Sequence, residues 1–581
     1  MPAQQRSSDP AAAQGIDAAA APQAPRSSIP RPRPGIAHTR ALVHALTGDR
    51  RRPARGRVVV VGAGFGGLAA ALRLAAAGHE VTVLDSAAAP GGKARRVHVA
   101  GHAIDAGPTV FTMRWVFEAL FAAAGTRLDD AVGLDPCRVL ARHAWPDGTR
   151  FDLFADLDAT AEAIAAFAGR AEAERYRRFA AHTERAYALF RDSFIAAPRP
   201  NPLDVIARIG LRGIPELIAV RPAANMYAAL AGQLRDDRLR QLFARYATYC
   251  GSSPYRAPAT LMLIAHVERM GVWRVRGGMA ALAAALAQAI ERAGGTLRLA
   301  TPVAAIECRD GRAAAVRLAD GERVACDAVV FNGDAAALSA GLLGPDVARA
   351  TPRVPPARRS YSALVWSAAV RPAGFPLSHH TVFFGPRYRE EFTAMDAGRL
   401  PRDATTYVCA LDRDADAGAP PGGVERFHVQ INAPATGDTR APSPQEIETC
   451  RAETEALMAQ AGLALSLAPQ TSVLTTPADY HRLFPGTGGA LYGAATHGPS
   501  ASFTRPRAQT RVTGLFLAGG SAHPGAGVPR AARSGALAAA AVVADLAARA
   551  RRRGPASTAP SPPAATAGGI STRSARTAGT G

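Results

Sequence analysis

Three glycines and one acid stand at spacings that suit a phosphate-rich ligand. Gly62, Gly64 and Gly67 fall in the pattern G-x-G-x-x-G, and Asp85 follows 18 residues after the last of them. Gly62 permits a tight turn, Gly64 lets a pyrophosphate approach the backbone, and Gly67 lets a helix pack closely on a strand. A helix start presents free amides to phosphate, and an acid at this distance can bind a ribose hydroxyl.

Such residues work only if the right elements hold them. Val58–Val61 is a run of four β-branched residues that predicts a buried strand, an Ala-rich helix follows, and Val81-Thr-Val-Leu84 predicts a second strand ending on Asp85. The glycine spacing alone is weak evidence, whereas the whole strand–turn–helix–strand–acid unit predicts a dinucleotide site. A competing reading is a twin-arginine signal or a membrane span, because Arg50–Arg52 precede an apolar run. That run begins more than fifty residues in, carries the fingerprint glycines and leads straight into another strand, so both readings lose. No other stretch reads as long and apolar enough to span a bilayer.

The chain has 581 residues, 48% of them hydrophobic, which suggests two intertwined domains with large cores. Cys137, Cys250, Cys308, Cys326, Cys409 and Cys450 have no C-x-x-C spacing and no histidine clustering in sequence. Neither a disulfide framework nor a metal site is therefore expected, in keeping with a reducing cytosol. The net charge is +21, of which residues 1–55 and 549–581 carry +6 each, leaving +9 for the body. Lys93 is the only lysine, and this Arg skew reflects a GC-rich genome better than nucleic-acid binding, for which no motif stands out. A basic body does suit an anionic membrane face.

Residues 1–55 and 551–581 are rich in Ala, Pro, Ser and Arg and read as disordered tails; a start assigned too far upstream would give the first equally well. Residues 150–260 read as mostly helical. Thr296–Cys308, Ala314–Leu318 and Arg323–Phe331 read as a β-meander turned by Asp310-Gly311 and Asp320-Gly321, Ser443–Gly462 reads as a helix, and residues 514–548 return to strand, Gly-rich turn and helix.

Further motifs join the fingerprint. They are Pro90-Gly-Gly-Lys-Ala-Arg95, Asp105-Ala-Gly-Pro-Thr-Val110 and Gly514-Leu-Phe-Leu-Ala-Gly-Gly-Ser-Ala-His-Pro-Gly-Ala-Gly-Val-Pro529. Together, over about residues 57–548, they resemble the flavin-dependent carotenoid desaturases of the phytoene desaturase and amine oxidase superfamily. Asp105–Phe117 and Gly488–Pro506 are similar to the hydroxyneurosporene (methoxyneurosporene) desaturase branch, whose members act at C3–C4 of 1-hydroxycarotenoids.

The resemblance implies an α/β fold: a discontinuous Rossmann-like FAD-binding domain (56–145, 265–340 and 508–550, with the meander) and an inserted α+β substrate and membrane-associated domain (146–264 and 341–507). It implies FAD contacts at Gly62, Gly64, Gly67, Asp85, Gly92, Lys93, Gly107, Thr109, Val303, Gly520 and Val528. Taken without the family, Val303 is an ordinary strand residue and Lys93 a solvated surface lysine. Two departures stand out. Gly519-Gly520-Ser521 replaces an acid that many members carry, and Arg530 and Arg533 occupy a helix start where they either favour a reduced, anionic flavin or point to solvent.

The implied chemistry needs no triad or metal. Hydride leaves a carbon beside the polyene to flavin, and a proton leaves the adjacent carbon. No base is assigned; Asp105, His497 and His523 are the candidates, each of a type that more often serves as a structural hydrogen-bonder. A carotenoid of about forty carbons costs on the order of 20 kcal/mol or more to dissolve in water, so it would be drawn from a bilayer. Leu203–Val220, with Leu203, Ile206, Ile209, Ile214, Leu217 and Ile218 among Arg208 and Arg212, is the expected docking segment, though buried helices look alike. The expected location is peripheral, on the cytoplasmic side of the inner membrane, with a quinone or oxygen as electron acceptor. The rivals are a phytoene desaturase, a flavin-dependent carotenoid cis–trans isomerase, a lipid carrier without flavin and an amine oxidase.

Overall fold

The valine run forms the strand Arg57–Val61, whose last four residues are buried, at the centre of a parallel sheet. The computed structural model describes residues 55–198, 200–413 and 423–553. Across this sheet the order is Leu515–Leu517, Ala328–Phe331, Arg57–Val61, Glu80–Leu84 and Thr296–Arg298, all parallel. Strands buried on both faces read as continuous apolar runs, which is why Val58–Val61 and Ala328–Phe331 lack alternation. The helix Phe65–Ala76 follows the fingerprint turn, and the C-terminal helix Val528–Arg553 lies against it. Their approach is close: a Cβ on Gly535 would stand 2.0 Å from the Gly66 carbonyl oxygen.

Two of the expected meander strands are each two strands. Thr296–Arg298 joins the parallel sheet and Val303–Arg309 starts the meander, while Arg323–Ala325 ends the meander and Ala328–Phe331 returns to the parallel sheet. Pro302, which has no N–H to donate, and Ala300, at φ 50°, break the first run. The helix expected at Ser443–Gly462 runs from Pro444 to Gln460, with Ser443 and Glu446 forming a capping box.

A second sheet of seven strands has the order Ser472–Thr475, Ser362–Val370, Glu425–Ala433, Thr406–Ala410, His380–Phe383, Val139–Ala144 and Arg150–Phe154. Its pairs are antiparallel except His380–Phe383 with Val139–Ala144. The hairpin of Val139–Ala144 and Arg150–Phe154 straddles the expected domain boundary at 145, because the turn between its strands pairs both into this sheet. Successive residues of a strand face opposite ways. Phe427, Val429 and Ile431 therefore enter an apolar core with Val408 and Trp366, leaving His428, Gln430 and Asn432 for the other face.

The expected tails lie outside the described residues, except for Arg55 and for Arg551–Arg553, which continue the last helix. That helix also corrects the expectation about membrane spans, since Val528–Arg552 is long and apolar enough to cross a bilayer by length and composition. Half of the window is buried inside the protein, against the fingerprint helix among other elements, as a core helix would be.

Candidate functional site

The fingerprint turn is built for close approach. Gly62 has φ 103°, its N–H donates to the Leu84 carbonyl, and a Cβ on Gly67 would sit 2.0 Å from the Gly62 carbonyl oxygen. Gly64 caps the helix with no side-chain hydrogen bond, and no acid stands in the first turn. The amides there are free and the helix dipole is uncompensated, as an anionic ligand requires. Gly91 bridges to Gly64, and Gly92 folds over it so that a Cβ would lie 3.1 Å from the Gly64 Cα. Gly66, which the motif leaves as any residue, is equally constrained: its Cβ would meet Gly519 N and Asn332 Oδ1 at 2.5 Å each. This bare cradle of backbone fits a pyrophosphate.

Asp85 holds that turn directly. Its Oδ2 accepts from the Ala63 amide at 2.6 Å and its Oδ1 from the Ala87 amide at 2.7 Å, and an ionised carboxylate keeps lone pairs for a ribose hydroxyl. The Ala300 amide donates to the Ala87 carbonyl and the Thr301 amide to the Asp85 carbonyl, and Val303 follows two residues on. Lys93 is not a free surface lysine. Its Nζ donates to the Leu491 carbonyl at 2.6 Å and stands 5.2 Å from the Phe484 ring centre, and burial lowers its pKa. Gly107 must be glycine, since a Cβ would be 2.0 Å from the Lys93 carbonyl oxygen.

Beyond the cradle lies a cavity of about 210 Å³. Gly107, Thr109 and Val528 come together in its wall with Tyr492 and Arg530. Gly520 does not line it; the Gly520 carbonyl accepts from Arg505, which also donates to the carbonyl of the cavity residue Tyr492. Arg505, a residue the sequence reading did not single out, is buried and ties the Tyr492, Ala494 and Gly520 carbonyls together, and burial lowers its pKa. Arg530 and Arg533 do not extend into solvent: the first donates to Cys250 Sγ at 3.2 Å and the second to the Ala196 carbonyl at 3.1 Å.

The opposite wall belongs to the seven-stranded sheet. Tyr407, Gln430 and Asn432 face the cavity from it, and Thr405, just ahead of the strand Thr406–Ala410, joins them. Apolar side chains such as Met113, Ile195, Ile264 and Phe392 close much of the remainder. Arg245 Nη2 donates to the Tyr249 hydroxyl at 3.1 Å, and the Tyr246 hydroxyl donates to Glu268 Oε2 at 2.6 Å. Burial raises the Glu268 pKa, with Arg245 opposing.

The three candidate bases stand elsewhere. Asp105 pairs with Arg96 at 3.0 Å and accepts from the Ala280 amide, His497 Nε2 accepts from the Ser253 amide, and His523 Nε2 donates to the Ala197 carbonyl. None of them lines the cavity. Burial pushes both imidazoles down to about 4. The fold also clusters what the sequence leaves apart: Cys409 lies opposite His380, and with His379 their nitrogen and sulfur atoms fall within 4.8 Å of one another. Burial raises the Cys409 pKa and keeps a thiol there, while His379 meets the Ala410 carbonyl and His380 the Tyr407 hydroxyl.

A family model described as flavin containing amine oxidoreductase matches residues 65–543. The hydroxyneurosporene desaturase of Rubrivivax gelatinosus is 50% identical over 525 residues, 90% of this chain and 98% of that protein. That of Cereibacter sphaeroides is 48% identical over 85% of this chain and 99% of its own length. The lycopene-forming phytoene desaturase of Pseudescherichia vulneris is 32% identical over 84% of this chain and 99% of its own length. Among solved structures, an oxidoreductase from Methanosarcina mazei has a TM-score of 0.52 at 17% identity, covering 84% of this chain and all of its own. Putrescine oxidase bound to putrescine has a TM-score of 0.51 at 18% identity, covering 84% and 99%. These two share the fold.

Proposed function

The chain belongs to the flavin containing amine oxidoreductases, as an FAD-dependent carotenoid desaturase, and on that premise we propose that it desaturates the C3–C4 bond of a 1-hydroxycarotenoid. The observation that carries this reading is the identity of about half of all residues, over nearly the full length, to hydroxyneurosporene desaturases, against 32% to a phytoene desaturase.

FAD, when bound, supplies the hydride acceptor. The chain's own residues bind, orient and exclude water. Gly62, Gly64, Gly67 and Gly92 would cradle the pyrophosphate, Asp85 the ribose and Val303 the adenine, with Lys93, Gly107, Thr109, Gly520 and Val528 at the flavin end. Loss of hydride from a carbon next to a polyene leaves a cation that the conjugated chain spreads, so orientation in a dry cavity does most of what is needed. Met113, Ile195, Ile264 and Phe392 supply the dry wall.

The substrate is lipophilic, and a bilayer is its source in this reading. Pro202–Ala219 is the docking element, with Leu203, Leu211 and Ile218 exposed by 76%, 86% and 69% and Arg208 and Arg212 exposed beside them. A break at Gly210, φ 63°, lets its two halves present these side chains separately. Apolar side chains beside cations suit an anionic lipid surface, which favours a peripheral position on the inner membrane. Electrons would leave to a quinone or oxygen.

The test is a product assay on liposomes carrying 1-hydroxyneurosporene or phytoene, with FAD-loaded protein. The expected product is two mass units lighter and red-shifted, from the hydroxylated substrate alone. Conversion of phytoene instead would make the protein a phytoene desaturase, and isomerisation without mass change would make it an isomerase.

A further inference from the structure

The polar groups of the cavity are not equally occupied. The Tyr407 hydroxyl already meets Thr109 and His380, and Glu268 already holds Tyr246. Glu391 differs: it is 3% exposed, its Oε2 accepts from the Thr405 amide at 3.2 Å, its Oε1 meets no donor in good hydrogen-bond geometry although the Asn432 side chain stands near the carboxyl, and burial raises its pKa to about 7. The Tyr388 hydroxyl, also buried, has no hydrogen-bond partner. Tyr388 and Glu391 are three residues apart on the helix Tyr388–Asp396, hence on one face, and both line the cavity. Buried polar groups left unpaired are costly and rare, so two together on a cavity wall point to a ligand that completes them.

A hydrocarbon end offers nothing to this pair. A tertiary hydroxyl offers one O–H donor and acceptor lone pairs, the complement of one free carboxyl oxygen and one free phenol. Position agrees. Tyr407 marks the cofactor end through Thr109, and Thr405, which holds Glu391, lies two residues away, about 7 Å along extended chain. The oxygen on C1 is four bonds from C4, about 5 Å in an extended chain. A hydroxyl seated at Glu391 thus leaves C3–C4 within reach of the cofactor end.

Resting on the reading of the protein as a 1-hydroxycarotenoid desaturase, we propose that Glu391 and Tyr388 form the subsite that recognises the 1-hydroxyl group: Glu391 Oε1 accepts its proton in a hydrogen bond and the Tyr388 phenol donates to its oxygen. The pair fixes which end of the substrate enters and which bond meets the cofactor. A site built around a substrate hydroxyl rejects the analogue that lacks it.

The test uses FAD-loaded full-length protein with liposomal 1-hydroxyneurosporene as substrate and neurosporene as competitor. In Glu391→Leu and Tyr388→Phe, kcat/KM for the hydroxylated substrate is expected to fall about 10- to 100-fold, with the inhibition constant of neurosporene unchanged. Glu391→Gln, which keeps a hydrogen-bonding oxygen, is expected to recover part of the loss and serves as the test if Glu391→Leu does not fold. Folded, flavin-loaded variants whose two constants move together, or do not move, overturn the subsite. Wild-type protein that converts no hydroxylated carotenoid overturns the function it rests on, a separate outcome.

Discussion

The hydroxyl groups of Thr109 and Tyr407 lie 2.7 Å apart, and the Tyr407 hydroxyl continues to His380 Nδ1, also at 2.7 Å. This chain joins the loop that follows the fingerprint domain's Asp105 to the middle of the seven-stranded sheet, two regions nearly 300 residues apart in sequence. Tyr407→Phe would leave Thr109 and His380 without this partner at a cost of about 1–3 kcal/mol. A lower melting temperature and slower turnover with FAD retained are expected, measured by thermal denaturation and product assay.

Gly67→Ala is expected to give protein without flavin absorbance, because a methyl group cannot occupy a point 2.0 Å from the Gly62 carbonyl oxygen. Gly78→Ala serves as the control. Gly78 has φ 86° and open space around its Cβ position, so the backbone strain there lowers stability by about 1 kcal/mol and leaves the absorbance intact.

Asp85→Ala removes the acceptor of the Ala63 and Ala87 amides. Charge-assisted bonds of this kind contribute about 1.5–3 kcal/mol, so FAD affinity should weaken about 10- to 100-fold. Titration of apoprotein with FAD, followed by flavin fluorescence, measures it; an unchanged affinity would remove Asp85 from the cofactor site.

Leu203→Ser with Leu211→Ser tests the docking element. Each leucine contributes about 1.5–3 kcal/mol when buried in lipid, so the double variant should sediment with anionic liposomes at least about 100-fold less well. Both side chains are exposed in the protein, so the melting temperature should stay put. Equal sedimentation of variant and wild type would place lipid contact elsewhere.

Acid should destabilise the protein through its buried imidazoles. Burial holds His266, His379, His428, His497 and His523 down to about 4. Below about 6.5 the unfolded chain takes up protons at these positions that the folded chain refuses. Their contribution is complete above that pH and is lost as pH falls toward 4. Glu391, raised to about 7 by burial, and Glu268, also raised, oppose them because the folded chain takes up those protons first. With five rings against two carboxyls, the urea midpoint should still fall between pH 7 and pH 4.5, and a midpoint that rises would contradict the burial of these rings.

How much the sequence could show depended on how local each feature is. Val58–Val61, Gly62, Gly64, Gly67 and Asp85 lie within one strand–turn–helix–strand unit, so spacing alone carried their geometry. The capping box of Ser443 and Glu446 is local too. The run Thr296–Cys308 misled because β-branched and apolar residues continue through Pro302, and only the pairing partners show that one strand has become two.

By itself the sequence determined the nucleotide fold, its cofactor class and the relatives it resembles, because those rest on short motifs and backbone sterics. Only the tertiary structure decided that Gly66 must be glycine, that Arg505 gathers three carbonyls, that Cys409 meets two histidines, and that Glu391 Oε1 and the Tyr388 hydroxyl turn to the cavity without a hydrogen bond of their own. The physical reason is that hydrogen-bond satisfaction and close contact belong to pairs of atoms. Whether a buried carboxyl has a partner depends on which distant strand the fold lays beside it.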